Sequence, residues 1–195
     1  GHRSMVRGYD VATGALDDGA TGFGSGGWNE LARLDEYTAL AIDRVDDTIL
    51  LCGQRRDTEG VAFLGDGLVT RLTADGGQIV EDLQLIELSG GRSAYLGAIG
   101  FDAHDRLVVG GRVISDTDQS AFVARFDGGS LDATFDGDGI GEQAGAGLFD
   151  VQYVGDLVTV APRTDASGAR NDIVMISTIR DSSSPTWLLT RHCGE

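Results

Sequence analysis

Lysine is missing from this 195-residue chain, and all 15 basic residues are arginine. That pattern matches the coding bias of a GC-rich genome and implies no mechanism. Positive charge is scarce overall: 31 acidic residues leave a formal net charge of −16. A field of that sign repels phosphate backbones and anionic lipid surfaces, which argues against nucleic acid as a partner. Only 2 prolines and 2 cysteines occur. The spacing of Cys52 and Cys193 fits no metal motif and leaves open both a single disulfide and the redox compartment. Cys52 lies in an apolar run and reads as a small core residue. No apolar run approaches the length of a membrane span, so membrane insertion is not expected. No secretory leader is visible, and residues 1–5 read as a cloning remnant. Histidine is limited to His2, His104 and His192, and no H-E-x-x-H, C-x-x-C or G-x-S-x-G motif occurs. Ser93, Ser130 and Ser182 to Ser184 have no histidine partner in sequence, so the common hydrolytic signatures are lacking.

Glycine, by contrast, is abundant at 30 residues, and 41% of the chain is hydrophobic. That composition suits a single turn-rich all-β domain, or a piece of a longer array, with a substantial core. The apolar runs recur. Asp47 to Gly53, Asp105 to Gly111 and Asp156 to Pro162 align without gaps, each an acidic turn residue, a β-type run and a breaker, at offsets of 58 and 51 residues. Each follows a partly alternating run, at Tyr37 to Ile42, Tyr95 to Phe101 and Leu148 to Val154. Two such runs across an Asp-rich turn predict a hairpin. A third strand is expected at Leu68 to Leu72, Phe122 to Phe126 and Met175 to Ile179, followed by polar turns. A fourth run follows in two copies, Ile79 to Leu88 and Thr186 to Thr190. About four strands in roughly 50 to 60 residues is the size of a propeller blade. Near the N-terminus, Tyr9-Asp10 and Gly14 to Asp17 mirror Phe126-Asp127 and Gly129 to Asp132. The predicted organisation is a partial unit over 6–35 and three fuller units over 36–92, 93–147 and 148–195.

The stretch "FVARFDGGSLDATFDGDG", with "FDAHDRLVVGG" upstream, resembles the delta-60 repeat, a bacterial β-propeller-type repeat. The likeness runs nearly throughout Ser93 to Gly141. In Tyr37 to Leu88 it covers the hairpin and Arg71; the Leu-Asp-x-x-Phe signature is lost and Asp57 to Asp66 is inserted. In the last unit only the hairpin pattern remains. The resemblance implies blade-like four-stranded antiparallel sheets, a place in large surface or secreted proteins, and no defined catalytic site. The expected fold is therefore an all-β, propeller-like array of about three and a half repeats. Such an array stays open, or is completed by further sequence or by another chain, which makes a homo-oligomer an expected partner state.

The candidate sites follow. Asp132, Asp136 and Asp138 place three carboxylates on a glycine-rich loop, and calcium prefers several hard oxygens on a tight turn. They are the candidate calcium ligands, with Glu142 nearby, although the complete EF-hand loop is missing; no other cofactor is expected. Asp-Gly pairs also make tight turns and cap backbone groups, and on that reading Leu131 and Phe135 plug the space between sheets. "GFGSGG", Gly22 to Gly27, fits G-x-G-x-x-G but lacks the buried strand that a dinucleotide fingerprint needs before it. Asn29 to Tyr37 has helical spacing as an alternative to strand. Arg71 and Arg125 recur at matching positions and are expected to bind acidic ligands or to pair with neighbouring aspartates. The segments Asp57 to Asp66 and Ser115 to Ser120 are candidate contact loops. The functional expectation is an extracellular or surface module that binds protein or carbohydrate without catalysis. The alternatives are a propeller-scaffold hydrolase or lyase using carboxylates such as Asp43, Asp102 or Asp150, and a calcium-stabilised adhesion module.

Overall fold

The computed structural model describes residues 5–17, 23, 26–31, 36–55, 66–76, 79–86, 92–102, 104–114, 119–143, 150–159, 163–165, 168–180 and 185–194. These residues contain no helix. Every strand pair is antiparallel. A two-stranded ribbon comes first, β1 (Met5–Arg7) with β2 (Trp28–Glu30). Sheet I is a four-stranded meander of β3 (Glu36–Asp43), β4 (Thr48–Gln54), β5 (Gly67–Leu72) and β6 (Ile79–Ile86). Sheet II joins β7 (Ser93–Phe101), β8 (Leu107–Ile114), β9 (Gln119–Asp127) and β10 (Ser130–Leu131), with β11 (Ile140–Gln143) also on β9. Sheet III joins β12 (Asp150–Thr159), β13 (Arg163–Asp165), β14 (Gly168–Arg180) and β15 (Pro185–Gly194) around β14.

The sheets lie face against face. Strand β7 rests on β3, β4 and β5, and β12 rests on β7, β8 and β9. The sequence dictates this layering. Leu-Leu-Cys in β4 and Val-Val in β8 are apolar at consecutive positions, so both faces of each sheet must be covered. Leu50, Cys52 and Val69 of sheet I meet Leu96, Val109, Phe122 and Phe126 of sheet II. The other face of sheet I, with Ile49, Leu51 and Leu72, is covered by Phe23, Leu31 and Val6 from around the ribbon. On the far face of sheet II, Val108, Val123 and Phe135 meet Ile173 of sheet III. Each fully buried Leu or Phe in these layers contributes about 1.5–3 kcal/mol.

The expected hairpins of the first two units form as β3–β4 and β7–β8, and both carry a β-bulge near the start, at Thr38 and at Gly97. Gly53 and Gly111 face these bulges. A Cβ at Gly53 would lie 1.9 Å from the Glu36 carbonyl oxygen, and one at Gly111 would lie 2.3 Å from that of Tyr95. The bulged backbone swings across the partner strand and leaves room only for hydrogen.

One expected hairpin fails to form. Leu148 to Val154 and Asp156 to Pro162 do not form a hairpin: Asp150 to Thr159 run as one strand, and Asp156 pairs with Ile176 instead of turning. The reason is the length of β14, whose 13 residues offer an unbroken partner. Continued pairing, with Gly155 absorbed as a bulge, satisfies more backbone groups than a local turn. The remaining ends of that expected hairpin, 148–149 and 160–162, lie outside the described residues. Near Asn29 there is strand: Trp28–Glu30 pairs with Met5–Arg7, and β3 begins at Glu36. Strand β11, the outer strand of sheet II, was not anticipated.

Three outcomes are expected from this packing. Gly111→Ala should lower unfolding stability in urea by about 1–3 kcal/mol, because backbone must move to admit the methyl. Gly100→Ala, where an added Cβ meets nothing within 4 Å, should cost less than about 1 kcal/mol. Cys52 is a free, fully buried thiol whose pKa burial pushes up to about 12. It should resist a thiol reagent at pH 8 until the chain unfolds, as followed by labelling and mass measurement.

Candidate functional site

Between sheets I and II, at their turn end, lies an open cleft of about 730 Å³. Its walls come from three turns. In the β3–β4 turn, Asp43 accepts the N–H groups of Val45 and Asp46 at 3.0 and 3.4 Å. In the β7–β8 turn, Asp102 accepts those of His104 and Arg106 at 2.8 and 3.0 Å. Asp47 and Asp105 close these turns with φ of 51° and 58°, a conformation that aspartate tolerates better than most residues. The third turn is Gly128-Gly129 between β9 and β10, where φ values of 56° and 87° make the tight two-residue connection that matches strand twist. The lining includes Leu50, Leu107, Phe101 and Phe126, and carboxylates from Asp46, Asp105 and Asp127 stand exposed around them.

Arginines tie these turns together. Arg71 reaches Asp46 at 2.7 Å, Thr48 at 3.1 Å and Asp43 at 3.3 Å through one guanidinium nitrogen. Asp46 is largely exposed, so that pair contributes about 0–1 kcal/mol. The second network is buried. Arg106 pairs with Asp102 at 2.7 Å and with Asp132 at 3.1 Å. Arg125, fully buried, donates to the same Asp132 oxygen at 2.8 Å and to Thr134 at 3.0 Å. Its guanidinium lies 4.8 Å from the centre of the Phe135 ring. Nη1 of Arg125 has no hydrogen-bond partner, and the electron-rich ring face offsets part of that deficit. The other Asp132 oxygen accepts the Thr134 hydroxyl at 2.6 Å and its N–H at 3.0 Å. The Thr134 hydroxyl holds the Asp132 carboxyl below the usual range, aided by Arg125 and opposed by burial.

This placement decides what the expected site residues can do. Asp132 spends both oxygens on two arginines and Thr134. Asp138 caps the Ile140 N–H at 2.9 Å, and Asp136 is an exposed turn residue with φ of 50°. Glu142 pairs with Arg92 at 2.7 Å. Among the described residues no three His, Cys, Asp or Glu side chains gather as metal ligands. Asp43 and Asp102 each give one oxygen to a turn and the other to an arginine. Asp150 begins β12, opposite Arg180. Of "GFGSGG", Phe23 is a buried plug against the ribbon, and Gly26 and Gly27 lead into β2. Phe135 lies in the layer between sheets II and III, and Leu131 packs on the opposite face. The contact segments Asp57 to Asp66 and Ser115 to Ser120 fall mostly outside the described residues.

Sequence reasoning missed Arg106, which links two turns, and the apolar lining from Phe101 and Phe126. The signal for Arg106 was its place four residues after Asp102, across a hairpin turn.

Asp132→Asn should destabilise the fold by about 3 kcal/mol, because it leaves Arg125 buried without its counter-charge. The carboxyl is lower in the folded chain than its ordinary value of 3.8. Its contribution is therefore complete above that value and is lost as pH falls through the lowered one. Denaturant titrations at stepped pH should show the wild-type advantage over Asp132→Asn shrinking in that acid window. Comparison with protein-family models and with curated protein sequences returns no match for this chain.

Proposed function

We propose that the chain is a non-catalytic binding module built from delta-60-type repeats, with its antiparallel sheets arranged as blades. The ligand surface is the turn end of the stack, centred on the cleft between sheets I and II. The carrying observation is the make-up of that cleft, where exposed Val45 and half-buried Phe101 stand beside exposed Asp105 and Asp127. Such a surface suits a partner with an apolar body and basic groups, and a net charge of −16 favours the encounter with one. A segment of a basic protein partner fits best. The binding reading is also supported by the state of the turn carboxylates. Asp43, Asp102 and Asp132 are committed to backbone and arginine partners, which builds rigid turns rather than a free acid and base. A module of this kind belongs in a larger surface or secreted bacterial protein, which is the setting that the repeat resemblance implies.

A short lysine-rich peptide titrated into labelled protein should shift the amide signals of Asp105, Asp127 and Gly128. Asp105→Asn and Asp127→Asn should each weaken the binding about threefold, and added salt should weaken it further. Shifts elsewhere only, or none at millimolar peptide, would reject the cleft. A neutral oligosaccharide producing the same shifts without salt dependence would move the ligand class to glycan.

A further inference from the structure

The ribbon β1–β2 reproduces half of sheet II. Met5 faces Glu30 and Arg7 faces Trp28, as Phe122 faces Glu142 and Ala124 faces Ile140. The Gly8 N–H donates to the Gly27 carbonyl at 3.1 Å, as Arg125 does to Gly139 at 3.0 Å. The N–H of Asp17 reaches back to Gly8 at 3.1 Å, as Asp132 does to Arg125 at 2.8 Å. Tyr9 bridges Leu16, as Phe126 pairs with Leu131. The Phe23 N–H donates to Asp17 at 3.0 Å and that of Phe135 to Asp132 at 2.8 Å, and both rings are buried.

The likeness stops at one edge. In sheet II the other side of β9 carries the hairpin β8–β7. Among the described residues, no strand pairs with the corresponding edge of β1. Sheet I carries the matching gap. Leu40 lies opposite Leu51 and Ile42 opposite Ile49, so both sit on the face turned towards the ribbon. Their counterparts in sheet II are Ile99, opposite Val109, and Phe101, opposite Leu107. Those two pack into the layer between sheets I and II, where β7 rests on β3 and β4. Leu40 and Ile42 are instead 57% and 49% exposed. An open strand edge beside an uncovered apolar face is an unstable surface to leave in water.

We propose that the β1 edge and the Leu40–Ile42 face form one docking surface, and that its occupant is a β-hairpin of the β7–β8 type. The occupant has an alternating apolar strand, an acidic turn, then an apolar run with paired glycines. Its second strand adds to β1 by main-chain pairing, as β8 does to β9, and its first strand covers the inner part of β3. This inference is independent of what binds in the cleft.

The test appends residues 93–118 directly ahead of the ribbon and compares that chain with the original and with a scrambled extension. Hydrogen exchange at Met5 to Arg7 should slow at least about tenfold with the native extension and not with the scrambled one. The melting temperature should rise by several degrees. Leu40→Asp with Ile42→Asp should change the original chain little, since both side chains are exposed, yet abolish the gain from the extension. Unchanged exchange at β1, or the same gain in the double variant, overturns the proposal. So does a dimer of the original chain that the double variant disperses, which would assign the surface to a second copy.

Discussion

Coverage of both faces of every central strand is the constraint on which the rest of the molecule depends. A run such as Leu50-Leu51-Cys52 or Val108-Val109 has no polar side to give to water. Sheets I and II are therefore sandwiched, and polar chemistry is driven to the strand ends. The positions of Arg71, Arg106 and Arg125 follow from this. Each sits at or near the turn end of its sheet, where its guanidinium finds the aspartates that shape the turns. The same carboxylates that fix backbone geometry also neutralise these arginines.

That double duty explains why the acidic loop was ambiguous in sequence. Asp132, Asp136 and Asp138 are spaced as ligands and also as turn residues, and spacing alone cannot separate the two. Tertiary partners show what the carboxylates do within the fold. Arg125 lies seven residues before Asp132 and Arg106 twenty-six before it, and both meet a single oxygen of that carboxylate. The local part of this arrangement, an Asp two residues before a threonine, was visible in the chain. The long-range part was not, because nothing in a linear pattern says which hairpin turn will stand beside which loop.

Strand positions were legible where the apolar run and its breaker agreed. Asp47 to Gly53 and Asp105 to Gly111 each became a strand after a tight turn, and Gly53 and Gly111 mark where a bulged partner crosses. Legibility failed at Gly155-Asp156, where a local turn signal competed with the pairing capacity of β14. It failed also at Ile140 to Gln143, where a short glycine-containing run has little propensity and owes its strand to the waiting edge of β9. Composition correctly placed the chain among all-β proteins. The cleft lay beyond reach, since it is made of the relative placement of two sheets.

The order of strands within sheet I has a kinetic side. Each of β3, β4 and β5 pairs with its immediate successor in the chain. Loop closure therefore joins only neighbours in the chain, and the sheet asks for few contacts between distant residues. As the chain emerges from the ribosome, sheet I can assemble before sheet II exists, and its face of Leu50, Cys52 and Val69 then waits for β7. For that interval the vectorial order of synthesis, rather than the final energy of the stack, decides which surfaces are left open.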